Sequence, residues 1–441
     1  MKEVLKRFNL LILLSILILG FFLRSENLTT WPREGATFDE FAWTWQGINL
    51  IQTGVPKSWS PHPQYKNAQQ ITYRKAAFNL VTPYLEHPPV FGLVAGSYAV
   101  LTGVKDMNHV TIQNMRGLAL LLGIVSIVMV FFLAKELYGT GIALISALLY
   151  ASIPTVVVGS RLVQNENFFI PLFLLVLFII ARFVRTKKSL LRNTAAVICG
   201  LLALSKVPFL AAALAVVGIL LYFKLYKDTL KFLAIVLPIF SLFFVYGAYY
   251  DWNLFMNLWK LQLARYDLNF NSIFALFTKP YLVDRGYIDG FIFWGWISFF
   301  LLLVKENKKN IILIAGLLGY LLVYLAGIPD EPGHGWYRYP FYPFLIISVA
   351  IFLKEYFSKN IFLTFLFLVF VGSSLLQLTF GAAFGFSYIV FRMSIIGWGL
   401  TLLPLVFENK KVSVAARILS FVWLFVFIAL NIWAAMLYNE Q

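Results

Sequence analysis

The chain has 441 residues, of which 60% are hydrophobic and only 13% charged. A soluble domain carries about 25% charge over its composition, so a mean hydropathy of +0.79 places this chain among the polytopic membrane proteins. The net charge of +16 does not argue for nucleic acid, because the basic residues cluster between apolar segments as topology signals do; the single cysteine, Cys199, excludes an intrachain disulfide and a cysteine metal cluster.

The first segment, LKRFNLLILLSILILGFFLRSEN, has the basic start and apolar middle of a signal peptide but no small-x-small cleavage site after it, and reads as an uncleaved helix. Thirteen spans are predicted, near 8–23, 112–134, 141–159, 167–183, 194–205, 207–223, 230–250, 291–304, 310–328, 340–353, 361–378, 385–405 and 413–437. The stretch PPVFGLVAGSYAVLTG, 88–103, is short and rich in glycine. Read as an interfacial helix, it leaves Lys135, Lys187, Lys188, Lys308, Lys309, Lys410 and Lys411 inside and only Arg161, Lys206 and Arg338 in the short outside loops; read as a span, it reverses the bias. The N-terminus is therefore placed inside and the C-terminus outside. Two long outer loops, 24–111 and 251–290, and two shorter ones, 160–166 and 329–339, then hold most acidic and histidine residues that topology does not explain. Long loops are usually functional, so the chemistry is expected on the outer face.

Five stretches carry candidate chemistry. In GATFDEFAWTWQG, 35–47, a helix would turn Asp39 toward Trp43 and Gln46, and Glu40 toward Thr44 and Gly47. These acids read either as first-turn residues favoured by the macrodipole, with Thr37 as a cap, or as a carboxylate poised at the membrane surface to act as a base or to bind a sugar or metal. In YLEHPPV, 84–90, two prolines hold Glu86 and His87 extended, as a rigid turn or as substrate contacts and ligands for a divalent metal ion. GSRLVQNENFF, 159–169, contributes Arg161 and Glu166, and in LLALSKVPFLAAAL, 201–214, Lys206 and Pro208 interrupt an apolar run, as a snorkelling lysine or an anion site. DEPGHGWYRYPFYPF, 330–344, groups His334, Tyr337 and Arg338 with aromatics, as an interfacial belt or a sugar-phosphate pocket. Glycine-rich phosphate loops, HExxH and GxSxG are absent from the sequence.

In order, these stretches resemble the GT-C glycosyltransferases that use polyprenyl-phosphate sugars, in particular protein O-mannosyltransferases and lipid A aminoarabinose transferases. The resemblance rests on the acidic pair Asp39 and Glu40 in a long first outer loop, EHPP at 86–89, Arg116 opening the next span, AKELYG at 134–139, Arg161 followed by Glu166, SKVP at 205–208 and YRYPFYPF at 337–344. It covers most of residues 1–350, a GT-C-like transmembrane catalytic module, while 351–441 match in hydropathy alone. The chain departs from the family pattern in having Glu166 where an aspartate is common and SKVP in place of a Lys-Gly-Pro form.

The resemblance implies an all-α bundle of about thirteen transmembrane helices with juxtamembrane helices in its outer loops. It also implies a cell-membrane enzyme that moves a sugar from a polyprenyl-phosphate donor to a hydroxyl acceptor outside. The leaving phosphate gains charge, which Lys206, Arg338 and either Arg265 or Arg285 could stabilise, and Asp39 would take the acceptor proton. An in-line displacement with inversion needs no protein nucleophile. Two other readings are a lipid or solute transporter, which should carry ionisable residues at mid-span and an internal repeat, and a ligase or polymerase of lipid-linked glycans. Reporter fusions should place Lys187 and Lys308 inside and Pro63 and Asp267 outside; Lys187 outside would turn the long loops toward the cytoplasm.

Overall fold

The computed structural model describes residues 2–264, 289–305, 307–327, 335–383 and 387–437, with positions 273, 276 and 277. Among these residues eight helices are long and apolar enough to cross a membrane, and six more are apolar but shorter. The thirteen expected spans all fall on them. They are α1 (Lys2–Ser25), α4 (Ile112–Tyr138), α5 and α6 (Thr140–Ser152, Pro154–Gly159), α7 (Asn165–Thr186), α8 (Ser189–Ala203), α9 (Ala211–Tyr222) and α10 (Tyr226–Tyr250), followed by α12 (Gly290–Val304), α13 (Asn310–Gly327), α14 (Tyr342–Glu355), α15 (Ile361–Ala383), α16 (Tyr388–Gly399) and α17 (Lys410–Leu437). Between them lie the loop helices α2 (Asp39–Thr53), α3 (Val90–Leu101) and α11 (Trp252–Ala264).

Helix α14 is buried on every side from Tyr342 to Leu353, so it is the axis of the bundle. The opposite pattern marks the periphery: Phe8, Leu10, Leu11 and Ile18 of α1 and Tyr388, Ile389, Met393 and Ile396 of α16 are exposed. Large apolar side chains in such rows face lipid, since water would not tolerate them. The chain is a polytopic all-α membrane protein.

Helix α3 takes up residues 90–101 of the doubtful stretch and is as short as α9 and α16, with 12 residues each. At 1.5 Å per residue its 12 residues reach about 18 Å, well short of a hydrocarbon core of about 30 Å. Its glycines have a packing reason: a Cβ on Gly47 would lie 1.8 Å from the Gly92 carbonyl oxygen, and one on Gly96 would lie 2.4 Å from the Gly47 carbonyl carbon. Helices α2 and α3 thus meet backbone to backbone, as small-residue pairs allow where no hydrophobic force drives helices together.

The same long loop folds a three-stranded antiparallel sheet, β1 (Ser58–Trp59), β2 (Gln69–Tyr73) and β3 (Ala76–Val81), in the order β1-β3-β2. Sequence reading anticipated helices here and not the sheet. Its hairpin pairs Tyr73 with Ala76 across Arg74 and Lys75, whose φ angles of 46° and 66° are usually announced by Asn-Gly, which is missing. Phe78 of β3 packs with Phe38, Trp45 and Trp59, and an Arg74–Glu34 pair at 2.7 Å tethers the turn. Replacing Gly47 with Val should overpack the α2–α3 contact by about 1–3 kcal/mol. The check is a lowered unfolding temperature in detergent; an unchanged one would show that the two helices can part without loss.

Candidate active site

Helix α2 starts at Asp39, whose amide donates to Thr37 Oγ1 at 3.2 Å, so both acids sit in its first turn. They diverge as adjacent helical residues must. Glu40 is fully buried and receives Arg116 Nε at 3.1 Å, Arg116 Nη2 at 2.8 Å and the Val163 amide at 2.9 Å. Arg116 spends its remaining fork on the Leu28 and Pro32 carbonyls, at 3.0 and 2.6 Å. Such a bidentate pair, saturated by backbone, is a strut between α2, α4 and the loop before α7. Arg161 plays a similar part, donating to the carbonyls of Leu23 at 2.7 Å and Trp31 at 3.2 Å. Burial, with the positive charges of Arg24 and Arg116, pulls its pKa down to about 9, which still leaves a cation at neutral pH.

The other face of α2 carries Asp39, Trp43 and Gln46. Gln164 spans two of them, accepting from Trp43 Nε1 at 3.2 Å and donating to Asp39 Oδ2 at 3.5 Å. The Trp43 ring meets the His87 ring edge-on at 4.9 Å, and Gln46 donates to the His87 carbonyl at 3.3 Å. This face therefore looks at the EHPP segment, which leads into a cavity whose lining includes Glu86, His87, Lys206, Trp259, Gln262 and Tyr337.

Lys206 reaches the cavity because the chain breaks there. Helix α8 ends at Ala203, Lys206 is extended at φ −158°, and a 3₁₀ turn, Val207–Leu210, starts the next segment. The same break anchors α3, since Leu204 O accepts the Val90 amide at 3.0 Å. Lys206 Nζ lies 2.7 Å from Glu166 Oε1 in the first turn of α7 and 4.3 Å from the Tyr337 ring centroid. Burial lowers the ammonium pKa, but Glu166, Tyr337 and the more distant Asp39 outweigh it, and the net direction is upward. Asp39 also acts electrostatically on the Tyr84 phenol, whose pKa is raised mainly by burial and then by Glu86, Tyr65 and Asp39. Glu86 turns to His62, 3.4 Å from Nε2, and Gln262 Nε2 is 3.5 Å from that ring.

The architecture can now be compared with known proteins. The family model for dolichyl-phosphate-mannose-protein mannosyltransferase matches residues 86–246, from Glu86 through Lys206 to the end of α10. No curated protein matches the sequence. The structure resembles ArnT from Cupriavidus metallidurans, solved with undecaprenyl phosphate, with a TM-score of 0.59 at 15% identity over 97% of this chain and 76% of that one. It also resembles the arabinosyltransferase EmbB from Mycobacterium smegmatis, with a TM-score of 0.55 at 12% identity over 96% of this chain and 40% of that one. A third likeness is to the apo oligosaccharyltransferase of Archaeoglobus fulgidus, with a TM-score of 0.51 at 11% identity over 94% and 56%. The fold is that of the GT-C glycosyltransferases.

Within this GT-C fold the candidate residues separate into two groups. Glu86, His87, Lys206 and Tyr337 line one cavity, with Glu166 on Lys206 and Asp39 beside it. Glu40, Arg116 and Arg161 do not join them: expected to touch substrate, they are buried, the first two in one ion pair and Arg161 against backbone carbonyls. Arg338 is buried in the 3₁₀ turn Gly335–Phe341, with its charge near Tyr342 and outside the cavity lining. Arg265, Arg285 and His334 lie outside the described residues. Lys206, expected as an isolated cation, is instead half of a buried ion pair. Glu86 and His87 do not come together as a metal site, since the Glu86 carboxylate turns to His62 and the His87 ring to Trp43; among the described residues no three His, Cys, Asp or Glu groups converge.

Sequence reading missed Gln164, His62, Trp259 and Gln262. His62 had a signal, as one of four histidines in the chain and within an outer loop; Gln164 had none. The Lys206–Glu166 contact changes what substitution does. Lys206→Ala leaves a carboxylate buried alone, at about 3–5 kcal/mol, so it should lower the unfolding temperature as well as donor use. Lys206→Met with Glu166→Gln should recover much of the stability and none of the donor use. Recovery of both would remove Lys206 from the site.

Proposed function

We propose that this chain is an integral-membrane glycosyltransferase that moves a sugar from a polyprenyl-phosphate donor to an acceptor hydroxyl at the outer face of the cell membrane. The observation that carries the proposal is the joint placement of a cation, an apolar wall and a carboxylate. Lys206 and Tyr337 face a cavity whose other side is Phe243, Phe255 and Val207, and Asp39 stands within electrostatic reach. The apolar wall suits a prenyl chain, the ammonium suits its phosphate, and the rings of Tyr337 and Trp259 suit a sugar face. The family match and the likeness to ArnT support the same class.

In this reading the acceptor oxygen gives its proton to the Asp39 carboxylate as it attacks the anomeric carbon. The bond from that carbon to the phosphate oxygen breaks on the opposite face, polyprenyl phosphate leaves, and the configuration inverts. Lys206 balances the charge that develops on the phosphate while Glu166 and Tyr337 hold its Nζ in place. Gln164 and Trp43 fix the Asp39 side of α2, which keeps the base oriented before substrate arrives.

A positioned base contributes about 10² to 10⁴-fold in rate. Asp39→Asn, assayed with a polyprenyl-phosphate sugar and purified protein in detergent, should lose turnover by about that factor while donor binding and unfolding temperature stay near the parent's. Retention of more than half the turnover would move the base to Glu86.

A further inference from the structure

The end of the bundle opposite the active cavity carries a second hollow. It lies between the turn after α14, the start of α15, the 3₁₀ turn Leu400–Leu405 and the start of α17. Its inner wall is polar although buried: Thr364 is 1% exposed, Thr401 2% and Ser420 3%. Each hydroxyl donates its proton to a backbone carbonyl, Thr364 to Asn360 at 2.8 Å, Thr401 to Trp398 at 2.6 Å and Ser420 to Ala416 at 2.8 Å. What they offer to a ligand is therefore oxygen lone pairs, two each on Thr401 and Ser420 and one on Thr364, whose other accepts the Ser358 amide at 2.8 Å. Around the mouth stand Lys359, Lys410 and Arg417, all exposed, and no acidic residue lines the hollow.

This arrangement is not explained by packing, since a bundle end that needed sealing would place apolar side chains where these hydroxyls stand. It is not explained by the topology signal alone either, which needs positive charge but no cavity. Three cations around one opening suit an anion with several oxygens, and lone pairs deeper inside suit a group with hydroxyl protons to give. The charge clusters mark this end as the inner one, the leaflet where anionic lipids gather. We propose that the hollow binds a phosphate ester that also carries hydroxyl groups, of the phosphoglycerol kind, whether as a lipid headgroup or as a soluble compound. It is a site separate from the transfer reaction and does not depend on it.

The test uses the purified full chain in detergent and measures binding of dioctanoyl phosphatidylglycerol, glycerol phosphate and dioctanoyl phosphatidylcholine by calorimetry. Phosphatidylglycerol should bind, and Lys359→Gln with Lys410→Gln and Arg417→Gln should weaken it roughly a hundredfold, at about fivefold per cation. Lys308→Gln with Lys309→Gln, outside the hollow, should leave it unchanged. Ser420→Leu fills the floor without touching a charge and should abolish binding; Thr401→Val, which keeps the shape and loses the hydroxyl, should weaken it several-fold and serves if the leucine variant does not fold. Tighter binding of the lipid than of glycerol phosphate identifies a lipid site, and equal binding identifies a soluble ligand. Equal binding of phosphatidylcholine, full binding by the triple variant, or full binding by folded floor variants would overturn the proposal.

Discussion

The ion pair between Glu40 and Arg116 is the constraint on which the active end of this protein depends. Neither group can reach water, and each nitrogen and oxygen has a partner, the carboxylate in the guanidinium and the Val163 amide, the guanidinium in two loop carbonyls as well. Breaking such a pair leaves an uncompensated charge, so the geometry has no cheap alternative. It fixes the rotation of α2 about its own axis. Once Glu40 is locked inward, a helix of 3.6 residues per turn must hold Asp39, Trp43 and Gln46 toward the EHPP segment.

The same economy of charge runs through the molecule. Buried arginines give their terminal nitrogens to backbone carbonyls at helix ends, where the macrodipole is negative: Arg24 takes those of Tyr150 and Ala151 at the end of α5, and Arg161 takes that of Leu23 at the end of α1. Lys206 differs from them. Its partner is a single carboxylate, its ring neighbour is half-buried, and it borders open volume. Cations that hold the scaffold and a cation that faces a cavity are thus told apart by what satisfies them, not by burial.

Much of the fold was legible because a membrane imposes one-dimensional rules. Span length is written directly in the sequence, and the apolar segments it marked fall on helices among the described residues. The partition of the acidic pair could also be derived, since helical geometry alone separates Asp39 from Glu40. What each face meets could not. That Glu40 finds Arg116, 76 positions later, or that Lys206 finds Glu166, is decided by how α2 leans on α4 and α8 on α7, which hydropathy does not encode. The sheet was hidden for a local reason, because its turn is made by Arg74 and Lys75 and not by the residues that ordinarily advertise positive φ.

The last helix repays attention despite its distance in sequence from the site. Arg161 also reaches the Ala435 carbonyl at 3.4 Å, Asn27 donates to Met436 O at 3.4 Å, and Leu23, Val157 and Ala435 pack together. Helices α1 and α17 are thereby stitched to one another beside the segment that leads into α7. During synthesis, α1 enters the membrane first and must hold this rim unfinished while eleven intervening spans follow it. The rim closes when the final turns of α17 arrive, so Arg161 gains its last carbonyl only once that helix is in place.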